Sequence, residues 1–352
     1  MDNLDVNSKD YLLTVSMELA SKCNLQCRMC SHPTSGRKPE VMSMDHFKTI
    51  LEKVKGTKIR QLFLNMGEPF MDNTIFRKIA YAKRLGFLIY ISTNGMLLTE
   101  ESMNSILKTG VDGIKFSIEG YTPEVFNRIR TGGSFDRLFR NVVRMKELRD
   151  RSGSRMPIRI STILVKENED IVEFVKYWGP YCDEIEYTTI TNHIGLKDNS
   201  EISLSSQWKH RKSCPQIKPY GEINVLCNGD VVICCVDFHA RCVLGNLVEQ
   251  EFDEIWFSDK MTEIRRKAYA DQTEDLDPCR DCYISDYSVV KWKNMRAEVS
   301  LIHDVVRNKM WDMLTHITFI DHGGKCGGCG NDVKISFAGL CLTCLKKRTG
   351  MQ

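Results

Sequence analysis

The sequence predicts an α/β fold: an open, partial (β/α)6 barrel, then a small β-hairpin/helix unit, then a cysteine-bearing tail. Three observations predict it. From residue 11 to about 191, short β-branched runs alternate with amphipathic stretches of helical period. Strand–helix repetition argues for a parallel sheet with right-handed crossovers, and six units fall short of the eight that close a barrel. An Asn228-Gly229 pair then separates two alternating apolar runs, a strong hairpin signal. Lastly, the 15 cysteines of this 352-residue chain fall almost entirely into groups.

The strands are expected at Leu12–Glu18, Gln61–Asn65, Leu88–Ser92, Gly113–Ile118, Ile158–Val165 and Glu184–Ile190. Between the first two, Phe47, Ile50, Leu51 and Val54 mark a helix with Ser43 as its N-cap. Ile75, Ile79, Ala82 and Leu85 mark the next, closed by Gly86. Leu98 to Leu107 ends before Gly110, and Phe135 to Leu148 and Ile171 to Trp178 complete the series. Parallel α/β architectures carry their sites at the carboxyl ends of the strands. The polar groups found there are Cys23 onward, Met66-Gly67-Glu68-Pro69, Thr93-Asn94-Gly95 and Ser117-Ile118-Glu119-Gly120, with Ser161 inside the fifth strand. Each alone is turn chemistry; together on one rim they predict a shared pocket.

Composition narrows the class. With 42% hydrophobic and 27% charged residues the chain reads as an ordinary globular protein. Its net charge of +3 is too small for a nucleic-acid footprint, so nucleic acid is not an expected partner. No apolar run approaches the ~20 residues that span a bilayer, and residues 1–9 lack a signal-peptide core. No membrane partner and a cytoplasmic location are therefore expected. In that reducing setting, grouped cysteines read as metal ligands and not as disulfides.

Cys23-x3-Cys27-x2-Cys30 places three soft thiolates within eight residues with no fourth beside them, which leaves one metal site open. That motif after a first strand, with Gly67-Glu68-Pro69 after the second, resembles the radical S-adenosylmethionine (SAM) superfamily. The resemblance covers about residues 11–191. It implies a TIM-like (β/α)6 partial barrel and a 4Fe-4S cluster on Cys23, Cys27 and Cys30. SAM would bind the fourth iron, and its one-electron cleavage would give a 5′-deoxyadenosyl radical able to take hydrogen from an unactivated C–H bond. It implies further that Met66, Gly67 and Glu68 meet the methionyl amino group. Ser117 and Arg130 would meet ribose and carboxylate, with Asn94 and Ser161 also in the cofactor site. An electron donor such as flavodoxin or ferredoxin is the implied partner. Two positions depart from the family habit: Met29 stands where an aromatic is common, and Met66 where Gly is common. His32 is read as an ordinary loop residue outside the site.

The second cysteine group runs from Cys214 through the predicted hairpin (Glu222–Leu226, Asp230–Ile233) to Cys234, Cys235 and Cys242, then Cys279-x2-Cys282. A zinc site is one reading. The layout resembles the auxiliary-cluster domains of radical SAM enzymes, SPASM and the shorter twitch type. That resemblance implies a second, fully ligated 4Fe-4S cluster on Cys214, Cys234, Cys279 and Cys282. Cys235 is the alternative to Cys234, because neighbouring strand residues point to opposite faces. Whichever is free is a candidate hydrogen-atom donor, and Asp237 is the nearest candidate base. A helical segment is expected over 288–322. Beyond it, Cys326-x2-Cys329 and Cys341-x2-Cys344 resemble a zinc ribbon, so zinc is expected over 323–352.

The expected domains are thus a core barrel over 11–195, an auxiliary domain over 210–287, the helical segment and the tail. The leading functional expectation is a radical SAM enzyme that oxidises, deoxygenates or epimerises a carbohydrate or aminocyclitol. Radical modification of a ribosomal peptide or protein side chain is the alternative, so the substrate is a small molecule or a peptide. A non-catalytic iron–sulfur or zinc protein is the third reading.

Overall fold

The computed structural model describes residues 14–168, 171–204, 206, 208–210 and 222–285, and short strands at 317–319, 324–325 and 332–333. The six expected strands form: β1 (Thr14–Glu18), β2 (Gln61–Asn65), β3 (Leu88–Thr93), β4 (Gly113–Ser117), β5 (Ile158–Leu164) and β6 (Glu184–Thr189). They pair in sequence order and all in parallel. Between them lie α1 (Met44–Val54), α2 (Ile75–Arg84), α3 (Glu100–Thr109), α4 (Pro123–Ile129), α5 (Phe135–Arg151) and α6 (Ile171–Trp178). This is the partial (β/α)6 barrel that the alternation predicted.

Period-2 alternation explains how the barrel is filled. Leu62 and Leu64 of β2, and Ile89 and Ile91 of β3, are buried against the helices in the main apolar core. The opposite strand faces carry Gln61, Phe63, Tyr90, Lys115, Arg159 and Glu186, which line an open pocket of about 350 Å³ at the amino ends of the strands. The helix ends match their sequence signals. The Ser43 side chain accepts from the His46 amide at 3.0 Å, and Gly110 takes the left-handed φ of +73° that a C-terminal glycine supplies. Helix α4 was not expected; Thr122 caps it and Pro123 opens it, a start signal hidden inside a short polar stretch.

The cysteine-rich hairpin continues the same sheet. β8 (Glu222–Val225) lies parallel to β1, with Thr14 opposite Glu222 and Met17 opposite Val225. β9 (Asp230–Val232) and β10 (Val243–Asn246) follow antiparallel, giving the order β10-β9-β8-β1-β2-β3-β4-β5-β6. Helices α7 (Phe252–Trp256) and α8 (Asp259–Tyr269) pack beyond it. β7 (Trp208–His210) pairs with β11 (Tyr283–Ser285) just after Cys282. At the other edge, β12 (Ile317–Phe319) runs antiparallel to β6. The helical expectation for 288–322 is therefore corrected at these three residues, where Ile, Thr and Phe suit edge-strand pairing better than a helix. The rest of that segment lies outside the described residues, as do Cys214, Cys326, Cys329, Cys341 and Cys344.

Candidate active site

After β1 the chain forms a long loop pinned from two sides. The Gln26 amide donates to Thr131 O and the Arg28 amide to Ile129 O, both at 2.9 Å, while the Glu68 amide donates to Lys22 O at 3.0 Å. Those bonds hold Cys23, Cys27 and Cys30 on the wall of one cleft at the carboxyl ends of the strands. Burial pushes Cys23 up to about 11 and Cys30 up to about 12, and raises Cys27 as well. Free thiols here stay protonated, so binding metal means releasing protons.

The rim predicted from sequence is brought together. Met66, Gly67, Glu68, Asn94, Ser117 and Arg130 line the same cleft as the three cysteines. Met66 has φ +60° and Gly67 φ +105°. A Cβ on Gly67 would stand 2.4 Å from Ala20 O, so only glycine lets the β2 loop lie against the cysteine loop. Glu68 is 1% exposed and accepts from Thr93 Oγ1 at 2.7 Å, the Asn94 amide at 2.8 Å and the Phe70 amide at 3.2 Å. Burial outweighs those donors and pushes its carboxyl up to about 7. The Asn94 amide reaches Asn24 Oδ1 at 2.9 Å and Cys23 Sγ at 3.7 Å, tying the third strand's end to the first thiol.

Arg130 forms a bidentate pair with the buried Glu119 and donates to Cys27 Sγ at 3.8 Å. Burial works against its charge, but the Glu119 carboxylate keeps it protonated. Ser117 meets Ser92 at 3.4 Å. Ser161 lies in register beside Ser117 on β5 but is not part of the cleft wall.

Across the cleft the two adjacent thiols part company. Cys234 packs on the cluster that holds Cys242 and Cys279, together with Ile264 and Leu276. Cys235 packs on a different cluster, built on Met66, Leu226 and Phe238 and touched by Cys30. Both lie past the end of β9, where the turn closed by the Asp237 amide on Cys234 O sets Cys234 toward the Cys279-x2-Cys282 turn and Cys235 toward the first cysteine loop. Asp237 accepts from the Arg241 and Cys242 amides, both at 2.9 Å, and is not on the cleft wall; its carboxylate organises the turn. Among the spare cysteines, Cys182 donates to Trp178 O at 3.4 Å, and Cys227 lies 3.7 Å from Glu40 Oε1.

Three cleft residues escaped the sequence reading. His32, Phe238 and His193 all line it. The sequence leaves His32 outside the site as an ordinary loop residue, yet it lies on the cleft and is 7% exposed. His193 follows a strand end in an otherwise polar run, where nothing local distinguishes it. The signal that finds these residues is spatial: loops from β1, β6 and the hairpin converge on one point.

The donor set fits an iron–sulfur cluster. Three soft thiols share one wall of the cleft with no fourth cysteine beside them among its lining residues. Among the described residues no three acidic, His or Cys side chains converge on a single-ion site. A cluster taking one thiolate per iron does not require that. The Radical SAM superfamily model matches residues 17–177, and the iron–sulfur cluster-binding SPASM domain matches residues 214–283. The chain belongs to the radical SAM superfamily. With those domains come SAM, its 4Fe-4S cluster and an auxiliary 4Fe-4S cluster, and with them the standing of an enzyme; neither match reaches the 323–352 tail.

Among relatives, this radical SAM chain is 26% identical over 276 residues to the S-adenosyl-L-methionine-dependent 2-deoxy-scyllo-inosamine dehydrogenase of Niallia circulans, covering 76% of this chain and 91% of that one. It is 32% identical over 196 residues to the PqqA peptide cyclase of Rhizobium meliloti, which spans 54% of this chain and 50% of that one. Of solved structures, BtrN with AdoMet and 2-DOIA superposes with a TM-score of 0.56 at 20% identity, over 84% of this chain and 98% of that one. SuiB of Streptococcus suis bound to its precursor peptide SuiA gives 0.59 at 15%, over 72% and 66%. Among the described residues no helix is long and apolar enough to cross a membrane.

Proposed function

We propose that this enzyme oxidises a hydroxyl-bearing carbon of a carbohydrate or aminocyclitol. The carrying observation is the polarity of the barrel face beneath the cleft. Ser16 donates to Asn65 Oδ1 at 2.7 Å, and Ser92 and Ser117 meet beside them. Asn65, Ser92 and Ser117 line the cleft itself, while Asn224, opposite Ser16 on β8, is fully buried off its wall. Hydroxyl and amide groups on that wall suit a ring that carries hydroxyl or amino groups. The dehydrogenase relative, matched over nine-tenths of its length, points the same way.

Cys23, Cys27 and Cys30 would hold the first cluster. SAM would lie between Met66–Glu68, Asn94, Ser117 and Arg130, with Ser161 one strand further along. Bound there, the pair supplies a 5′-deoxyadenosyl radical that takes hydrogen from the substrate carbon. Arg130, fixed by Glu119, presents positive charge to a carboxylate. The Glu68 carboxylate, held by three donors, fixes the Asn94 turn at the cleft edge. A ketone forms once the substrate also gives up one proton and one electron. Cys214, Cys234, Cys279 and Cys282 would hold the acceptor of that electron. A flavodoxin or ferredoxin would reduce the first cluster, and Cys326, Cys329, Cys341 and Cys344 would hold zinc.

The test is anaerobic reconstitution followed by incubation with 2-deoxy-scyllo-inosamine and other aminocyclitols, reading 5′-deoxyadenosine and ketone together. Matched release of both is the expected result. Release of 5′-deoxyadenosine with no change in any cyclitol sinks the substrate class. The second reading, modification of a peptide side chain, is favoured by the identity to PqqA peptide cyclase. It predicts turnover with a peptide only.

A further inference from the structure

The loop after β6 carries a run of left-handed backbone: His193 at φ +47°, Ile194 at +54° and Gly195 at +81°. Two successive non-glycine residues in that region are strained, and such strain persists only where the surroundings hold it. Here they do. Arg241 donates to Ile194 O at 2.7 Å and pairs with Asp277 and Asp281. Asn192 donates to Asp281 O at 2.8 Å and accepts from the Tyr283 amide at 2.9 Å, while Asn199 donates to Met29 O at 3.1 Å. One loop is thereby fixed both to the first cysteine loop and to the Cys279-x2-Cys282 turn.

The strained residue points its ring into the cleft. Nδ1 of His193 faces two donors of Ser31, the amide at 3.3 Å and the hydroxyl at 2.9 Å. Nδ1 is therefore the acceptor, and the ring proton sits on Nε2. Nε2 has no partner among the described residues, and the ring lines the cleft wall. Burial keeps this imidazole neutral. On the same cleft, beside Gly67, His32 has a buried and equally unpartnered Nε2. Phe238 packs against both, its ring 5.2 Å from that of His32 and 6.2 Å from that of His193. Arg37 fixes the Phe238 backbone by donating to its carbonyl at 2.8 Å, and its guanidinium pairs with the buried Glu18.

We propose that His193, His32 and Phe238 form the substrate subsite for a hydroxylated saturated ring, with its C–H face on the phenyl ring and its hydroxyls on the two imidazoles. A ring sugar or cyclitol has both surfaces: an apolar face of axial hydrogens and a polar girdle. A phenyl flanked by two hydrogen-bonding nitrogens matches that pattern, whereas an extended peptide backbone offers no such face. This subsite rests on the cyclitol reading above and assigns it side chains. It also gives the strained loop a purpose, since that turn carries the His193 ring whose Nδ1 is held by Ser31 on the cleft wall.

Equilibrium dialysis of the reconstituted, unreduced enzyme with SAM present, against 2-deoxy-scyllo-inosamine, reads the subsite without turnover. His193→Asn keeps a side chain that tolerates positive φ and can accept from Ser31, but it removes the Nε2 donor. Ring affinity is expected to fall about ten-fold, the ratio that one lost hydrogen bond produces. Phe238→Leu is expected to weaken ring binding by a similar factor, and it decides the matter alone if His193→Asn fails to take up iron. Wild-type ring affinity in either folded variant overturns the subsite and leaves the cyclitol reading standing. If SAM affinity falls in step with ring affinity, His193 belongs to the cofactor and the subsite is overturned. A wild-type enzyme that releases 5′-deoxyadenosine on reduction yet binds no cyclitol overturns both.

Discussion

The two cysteine regions reach their sites by different routes. In the barrel, three thiols come from a single loop, and strands in sequence order bring the rest of the rim to them. In the auxiliary region the thiols are scattered from Cys214 to Cys282, and pairing of β8 with β1 is what draws the hairpin to the barrel. Local order makes the first site legible one motif at a time. The second depends on which way turns after remote elements face each thiol. At Cys234 and Cys235 the two regions meet within one peptide bond, the first thiol facing the auxiliary turn and the second the barrel loop.

The sharpest way to break this comparison is to remove one thiol from each side. Cys27→Ala should abolish 5′-deoxyadenosine release and lose about half of the roughly eight irons that two 4Fe-4S clusters hold. Cys279→Ala should lose the other half while leaving reductant-dependent SAM cleavage in place. Iron analysis and product chromatography read both. Should Cys279→Ala stop SAM cleavage as completely as Cys27→Ala does, the two regions do not hold separate clusters.

The adjacent pair sharpens the division further. Cys234→Ala should behave as Cys279→Ala does in iron content and in the spectrum of the reduced protein. Cys235→Ala should keep both clusters. The opposite outcome would mean that metal binding turns the 234–235 segment over relative to the packing described.

How much of this was legible follows from the same contrast. All six barrel strands and five of the six barrel helices, α1 to α6, arise from local periodicity and caps, which is why they were readable, as with Ser43 and Gly110. Gly67 was found as part of a motif, and the structure adds its reason, a backbone approach that no Cβ allows. Helix α4 was missed because its cap and proline lie in a seven-residue element too short for a period to register. The identity of the auxiliary strand as a neighbour of β1 was not readable, because no local pattern states which strand a hairpin will join. His193 was invisible for the same reason. Its partners Ser31 and Phe238 are remote in sequence, and its value lies in their convergence.

Gly67→Ala tests the close approach of the barrel loops. The added methyl would stand 2.4 Å from Ala20 O at a φ of +105°, so the β2 loop must shift. A loss of about 3 kcal/mol in urea unfolding is expected. Because the shift moves Glu68 and Asn94 away from Cys23, weaker SAM binding should accompany it. The auxiliary iron should be retained. Unchanged stability would mean that the loop has room the packing denies.

The smallest expected effect is a pH slope carried by His193. Burial holds its pKa down at about 4, below the ordinary 6.5 of an exposed or unfolded imidazole. Between those values the unfolded chain binds the proton and the folded chain does not, so stability rises with pH through this window. It is complete above 6.5 and is lost as pH falls toward 4. Each pH unit in the window is worth at most about 1.4 kcal/mol. His32, also held down by burial, acts in the same direction. Urea unfolding of the metal-free protein between pH 7 and 5.5 should therefore show a slope that His193→Asn reduces. Since both imidazoles belong to the seam between the two regions and not to either cysteine set, Cys279→Ala should leave that slope unchanged. If it removes the slope, the loop after β6 depends on the auxiliary turn for its burial as well as for its anchoring.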